Sequence, residues 1–170
     1  NMFYYDGTSY KVRVFDDNGN PVGARQVVAI KVGSKTYKVK TDKNGYATLK
    51  INLLPKSKAY SISATYKGQT VKNALKVKQV LFSKKAVKVK KSARKLVLKA
   101  TLKQGKKAIK GKKITFKFKG KNYKAKTNKK GVAQVTIKKP VIKKLKAGKK
   151  YAVKISYIKD TIKSVVKLKR

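Results

Sequence analysis

The chain has 170 residues, with 49 Lys and Arg against 5 Asp and no Glu, His or Cys, for a formal net charge of +44 at pH 7. This composition excludes the usual general bases, thiol nucleophiles, thiolate metal sites and disulfide staples. Disorder is excluded too, since 41% of the residues are hydrophobic and regularly spaced, and apolar runs such as Val27-Val-Ala-Ile30 are far too short for a membrane-spanning helix.

Residues 1–10 show no export signal and open in mid-pattern, so the sequence reads as part of a longer one. Met2-Phe-Tyr-Tyr5 is the first predicted strand. Period-two alternation then runs through Tyr10, Val12 and Val14, through Val28, Ile30 and Val32, and through Tyr37 and Val39. It resumes at Ala47, Leu49 and Ile51, at Tyr60, Ile62, Ala64 and Tyr66, and at Val71, Leu75 and Val77. Lys, Thr or Ser stand between, as in strands with one face inward and one in water. Turn signals separate the runs: Asp16–Pro21, Val32–Lys35, Asp42–Gly45, Leu54–Ser57 and Lys67-Gly68.

Beyond residue 79 the same order repeats. Ala86–Lys91 is a first strand, with Val89 aligned on Phe3. Leu96 and Leu98, Ile114 to Phe118, Tyr123 and Ala125, Ala133 to Ile137, Tyr151 to Tyr157, and Ile162, Val166 and Leu168 follow. Tyr37–Ile51 returns as Tyr123–Ile137, Tyr60–Tyr66 as Tyr151–Tyr157, and Thr70–Lys78 as Thr161–Lys169. A repeat of this length closes its own core, unlike solenoid repeats. The reading is all-β: two tandem β-sandwich domains, residues 1–79 and 80–170, of about seven strands each. With neither Gly nor Pro at the junction, a short, stiff joint is expected. The first domain carries 15 basic and 4 acidic residues, the second 34 and 1.

Tyr60 and Tyr151 open the sixth strand of each copy, as in the tyrosine corner of immunoglobulin-like sandwiches, and are assigned a structural role. Thr41-Asp42-Lys-Asn-Gly45 and Thr127-Asn128-Lys-Lys-Gly131 read as turns in which the Asx side chain holds the backbone ahead and Gly45 and Gly131 take positive φ. A calcium site from Asp16, Asp17 and Asp42 falls short of the oxygens that ion needs and has no counterpart in the second copy, so no metal and no cofactor is expected. Catalytic residues are not expected either, because Ser near Lys is no signal where Lys is so abundant. An internal Lys-to-Asx cross-link needs a buried helper carboxylate, and no acid lies within a strand at matched positions of the two copies.

The lysines read first as a solvated face and next as an attraction for polyanions, since each anionic contact releases counterions whatever the polymer. Only Arg13, Arg25, Arg94 and Arg170 are arginine, which argues against specific readout of nucleic acid by bidentate guanidinium groups. The copies differ most at Lys138–Lys150, where the second inserts five residues. Candidate polyanion-binding residues are Lys143, Lys144, Lys146, Lys149 and Lys150 in this loop, with Lys106, Lys107, Lys110, Lys112 and Lys113 around the preceding turn. The partner class is an anionic cell-wall or host-surface polymer. The alternatives are a non-specific nucleic-acid-binding protein and a wall-targeting accessory domain of a lytic enzyme.

The run Asp17-Asn-Gly-Asn-Pro-Val22, then Val28–Val32, Tyr37–Leu49 and Tyr60–Tyr66, resembles the Ig-like repeats of prokaryotic surface proteins. The family includes invasin and intimin stalks and the adhesin-like proteins of methanogenic archaea. The second copy matches from Leu96 onward, with Lys103–Ala108 in place of the acidic turn. The resemblance implies an immunoglobulin-like fold and an exported, extracellular adhesin or stalk of the cell surface or wall. It also implies neighbouring repeats of the same chain as partners and no shared catalytic residues.

Overall fold

In a computed structural model, which describes residues 1–169, the chain separates into two compact units, residues 1–78 and 79–170. Strands of the first are β1 (Met2–Phe3), β2 (Ser9–Arg13), β3 (Val27–Val32), β4 (Lys35–Lys40), β5 (Tyr46–Lys50), β6 (Tyr60–Tyr66), β7 (Gln69–Leu75) and β8 (Val77–Lys78). One sheet runs β4-β3-β6-β7, a second pairs β2 with β5, and β1 pairs in parallel with β8. The alternating apolar residues face inward: Val28, Ile30, Ile62 and Ala64 from the larger sheet and Ala47 from the smaller are all buried.

The second unit has β9 (Leu81–Phe82), β10 (Ala86–Lys90), β11 (Lys95–Gln104), β12 (Lys107–Ala108), β13 (Lys113–Phe118), β14 (Lys121–Lys126), β15 (Val132–Lys138), β16 (Lys150–Tyr157) and β17 (Asp160–Lys169). Five strands form one sheet in the order β10-β17-β16-β13-β14, and β12-β11-β15 form the other, with β9 also on β11. Leu96, Leu98, Leu102 and Ile137 from one layer meet Ile114, Phe116, Phe118 and Ile155 from the other, all buried. Burying each such side chain contributes roughly 1.5–3 kcal/mol. Both units are immunoglobulin-like β-sandwiches of the strand order read from the sequence, with the first strand of the second unit divided between its two sheets.

Two details differ from the sequence reading. Met2 pairs with Val77 and Val89 with Leu168. Because Val77 and Leu168 are equivalent in the repeat, the counterpart of Val89 is Met2 and not Phe3. Met2 and Tyr4 are buried while Phe3 is only half-buried. Four consecutive apolar residues carry no alternation, so nothing in Met2–Tyr5 distinguishes one register from a one-residue slip. The inserted loop is also not wholly irregular. It contains a one-turn helix, α1 (Lys139–Lys143), with Pro140 in its first turn. Ile142 and Leu145 are fully buried and pin the loop to the core. A single turn is too short to show a helical period.

Candidate functional site

The turn geometry shared by the two copies comes from the Asx residues. Asp42 Oδ1 accepts the amides of Asn44 (2.8 Å) and Tyr46 (3.0 Å), and Asn128 Oδ1 accepts those of Lys130 (2.9 Å) and Val132 (3.0 Å). These amides hold the Asp42 carboxyl below the usual carboxylate range, Tyr46 contributing most. Asp16 likewise accepts from Asn18 and Asn20. Gly45 and Gly131 have φ of +78° and +74°, and a Cβ on either would stand 2.8 Å from the Val14 carbonyl oxygen or 2.4 Å from that of Leu102. No group of three or more acidic side chains forms a metal cradle among the described residues.

Tyr60 Oη donates to the Leu54 carbonyl at 2.7 Å, closing the loop six residues upstream, whereas Tyr151 Oη accepts the Lys146 amide at 2.7 Å. A phenol hydroxyl serves either way, and the reversal follows the longer, helix-containing approach to Tyr151.

All ten candidate lysines are exposed. The structure does not bring them together. Lys106 to Lys113 lie at the end of the second unit where β11 finishes and β13 starts, while Lys143 to Lys150 follow β15 and lead into β16. Since Thr115 pairs with Ser156 and Phe118 with Val153, the start of β13 and the start of β16 are at opposite ends of the five-stranded sheet. At about 3.3 Å per residue the two clusters are separated by roughly 20 Å.

Between them lies a surface that inspection of the sequence did not single out. The outward residues of β10, β17, β16, β13 and β14 are lysines, hydroxyl or amide residues and small aliphatic ones, with no acid and no aromatic. In one row Lys117 stands opposite Lys154, which stands opposite Lys163; in another Lys88 stands opposite Lys167, which stands opposite Lys150. The first row in unit one reads Lys31, Ser63, Lys72. Alternation in the sequence signals that these lysines point outward, but cross-strand neighbours far apart in the chain leave no local mark.

The one acid of the second unit, Asp160, is buried on the inner face, with Oδ2 lacking a hydrogen-bond partner. Burial pushes its carboxyl above the usual range against an opposing hydrogen bond from the Thr161 amide. No carboxylate therefore lies on the surface of this unit among the described residues to neutralise its lysines. Every lysine of the described residues is exposed except Lys76 and Lys167, which are half-buried.

The family profile of macroglobulin domain MG4 matches residues 3–82, most of the first unit. Among solved structures, the chain is similar to the I9–I11 tandem of titin, at 11% identity and a TM-score of 0.50 over 99% of this chain and 62% of that one, which supports an immunoglobulin-like tandem fold. The D0-D1 domain of intimin matches at 21% identity and a TM-score of 0.39, covering 97% of this chain and 91% of that one. A bacterial ice-binding adhesin matches at 14% and 0.35, covering 95% and 58%. No curated protein sequence matches the chain.

Proposed function

We propose that the chain is a non-catalytic structural and adhesive part of a larger extracellular surface protein, in which the second unit holds an anionic cell-wall or host-surface polymer and the first serves mainly as spacer. The observation that supports this most directly is the surface of unit two: 34 basic side chains in that half of the sequence against one acid, and that acid buried. Such a surface sustains a strong positive potential that attracts polyanions. Attractions of about 1 kcal/mol per lysine at an anionic surface sum when many act together. Of the aromatic side chains in this unit, only Phe82 is exposed, at 37%, so platforms for stacking bases are scarce and a polymer without bases is favoured over nucleic acid. The sequence resemblance to Ig-like surface repeats supports a location outside the cell.

The test is retention of the whole chain on purified anionic wall polymer over a salt series. Attraction between exposed charges is screened over about 10 Å at 0.1 M and about 3 Å at 1 M, so retention should be strong at low salt and gone by about 1 M. Retention that is unchanged at about 1 M salt defeats the proposal, as does absence of retention at low salt.

A further inference from the structure

Where the inserted loop returns to the five-stranded sheet there is a hollow of about 240 Å³ lined by Lys88, Lys149, Lys150, Lys167 and Lys169 together with Gly148 and Leu168. Lys167 lies on the middle of the three strands that border it. Lys88 of β10 stands directly across from it on one side and Lys150 of β16 on the other. Like charges in directly opposed positions destabilise a sheet, and among the described residues no side-chain hydrogen bond or ion pair engages any of these five ammonium groups.

The first unit has the same backbone positions and treats them differently. The equivalents of Lys88, Lys150 and Lys167 are Asn1, Ala59 and Lys76. There the side chains at the two equivalent positions are uncharged, and the Nζ of Lys76 donates to the carbonyls of Lys56 (3.0 Å) and Ser57 in the short loop. One fold thus offers two solutions for a half-buried lysine. In unit one the loop satisfies it. In unit two a longer loop has taken its carbonyls away and supplied Lys149 and Lys150 instead.

We propose that this hollow is the seat in unit two for a phosphate ester group of an anionic polymer. This rests on the polyanion reading above and names its site and chemistry. Five lysine side chains from β10, β16, β17 and the loop line the space, so their flexible ends can be brought to one anion from several directions. A phosphate monoester presents three terminal acceptor oxygens and an internal phosphate of a polymer two, with the bridging oxygens completing a tetrahedron, so its oxygens are spread in space, whereas a carboxylate presents two in one plane. The volume, about eight waters at roughly 30 Å³ each, accommodates such a group with part of its hydration. Binding neutralises the opposed lysines and so removes the repulsion among three adjacent strands.

The experiment compares the whole chain with K88Q/K150Q/K167Q and with a control of equal charge loss at the far end of the unit, K106Q/K107Q/K110Q, on immobilised polyphosphate and on immobilised polygalacturonate. On polyphosphate the hollow variant should lose about tenfold more affinity than the control, and the slope of log K against log salt should shrink by about 2, at about 0.7 for each phosphate charge no longer neutralised. On polygalacturonate the two variants should fall together. Equal losses on polyphosphate overturn the hollow while leaving the polyanion reading standing, and an equal preference on both polymers overturns the phosphate assignment. If the parent chain binds neither polymer, both proposals fall. Folding is checked by urea unfolding. Should the triple variant be destabilised through the half-buried stem of Lys167, K149Q/K169Q, which alters exposed residues only, must show the same preferential loss on polyphosphate, and its absence overturns the site.

Discussion

Replacing Gly131 with alanine isolates what close backbone packing contributes to this fold. Gly131 has φ +74°, its N–H donates to the Asn128 carbonyl at 2.9 Å, and its own carbonyl accepts the Leu102 amide at 2.7 Å. A Cβ there would stand 2.4 Å from the Leu102 carbonyl oxygen, which already accepts the Ile109 amide at 3.0 Å. Two costs follow. The left-handed backbone with a Cβ costs about 1–2 kcal/mol. Forcing apart backbone that has no side-chain end to swing away costs about 1–3 kcal/mol, and a weakened backbone hydrogen bond adds about 1 kcal/mol. The sum is roughly 3–6 kcal/mol. Gly120→Ala is the control, because its φ is +77° with nothing within 4 Å of the added carbon, so it should show the backbone cost alone. At about 4–8 °C per kcal/mol for a domain of this size, Gly131→Ala should lower the melting temperature of unit two by at least about 12 °C, and by clearly more than Gly120→Ala. Far-UV circular dichroism and tyrosine fluorescence follow the transition, with unit one as internal reference. Equal destabilisation by the two alanines would refute the account, since crowding against Leu102 would then carry no cost. Gly45→Ala, with its nearest neighbour at 2.8 Å, should fall between them.

The two units should respond to acid in opposite senses. Asp42 is held below its ordinary 3.8 by backbone amides, so the stability it contributes to unit one is present above that value and lost as pH falls through the depressed pKa. Asp160 is raised by burial, so its protonated form stabilises unit two below 3.8 and that gain is lost as pH rises through the raised pKa. Melts between pH 7 and about 3 should show unit one weakening while unit two gains, and Asp160→Asn should abolish the second effect; parallel shifts would contradict the assignment. In the inserted loop, Leu145→Ala should cost unit two about 2–5 kcal/mol in urea unfolding because Leu145 is fully buried. Gln at Lys143, Lys144, Lys146 and Lys149 should change it by less than about 0.5 kcal/mol, and a comparable loss from the glutamines would mean that those stems pack against the core.

Much of the architecture is written locally. Strands appear as alternation because one face of each is in water, and the turns at Asp42 and Asn128 appear because an Asx side chain and a glycine have few other uses in that order. What escaped notice was non-local. Nothing near Lys167 announces that Lys88 and Lys150 flank it, since that adjacency is created by pairing across distant strands. Order along the chain is no guide to place either: the clusters around Lys106 and Lys143 both precede strands of one sheet, yet antiparallel pairing sends them to opposite ends. The helical turn with Ile142 and Leu145 was hidden in a run that reads as cationic loop, because two buried anchors among lysines leave no periodic trace.

In each unit the first strand lies parallel to the last, β1 with β8 and β10 with β17. Tension applied through the chain enters one end of such a ladder and leaves at the other, so its hydrogen bonds share the load in shear instead of opening one at a time like a zip. The ladder spans two residue pairs in unit one and five in unit two. Unit two, proposed above to hold polymer, is thereby also the half expected to yield last when the chain is pulled.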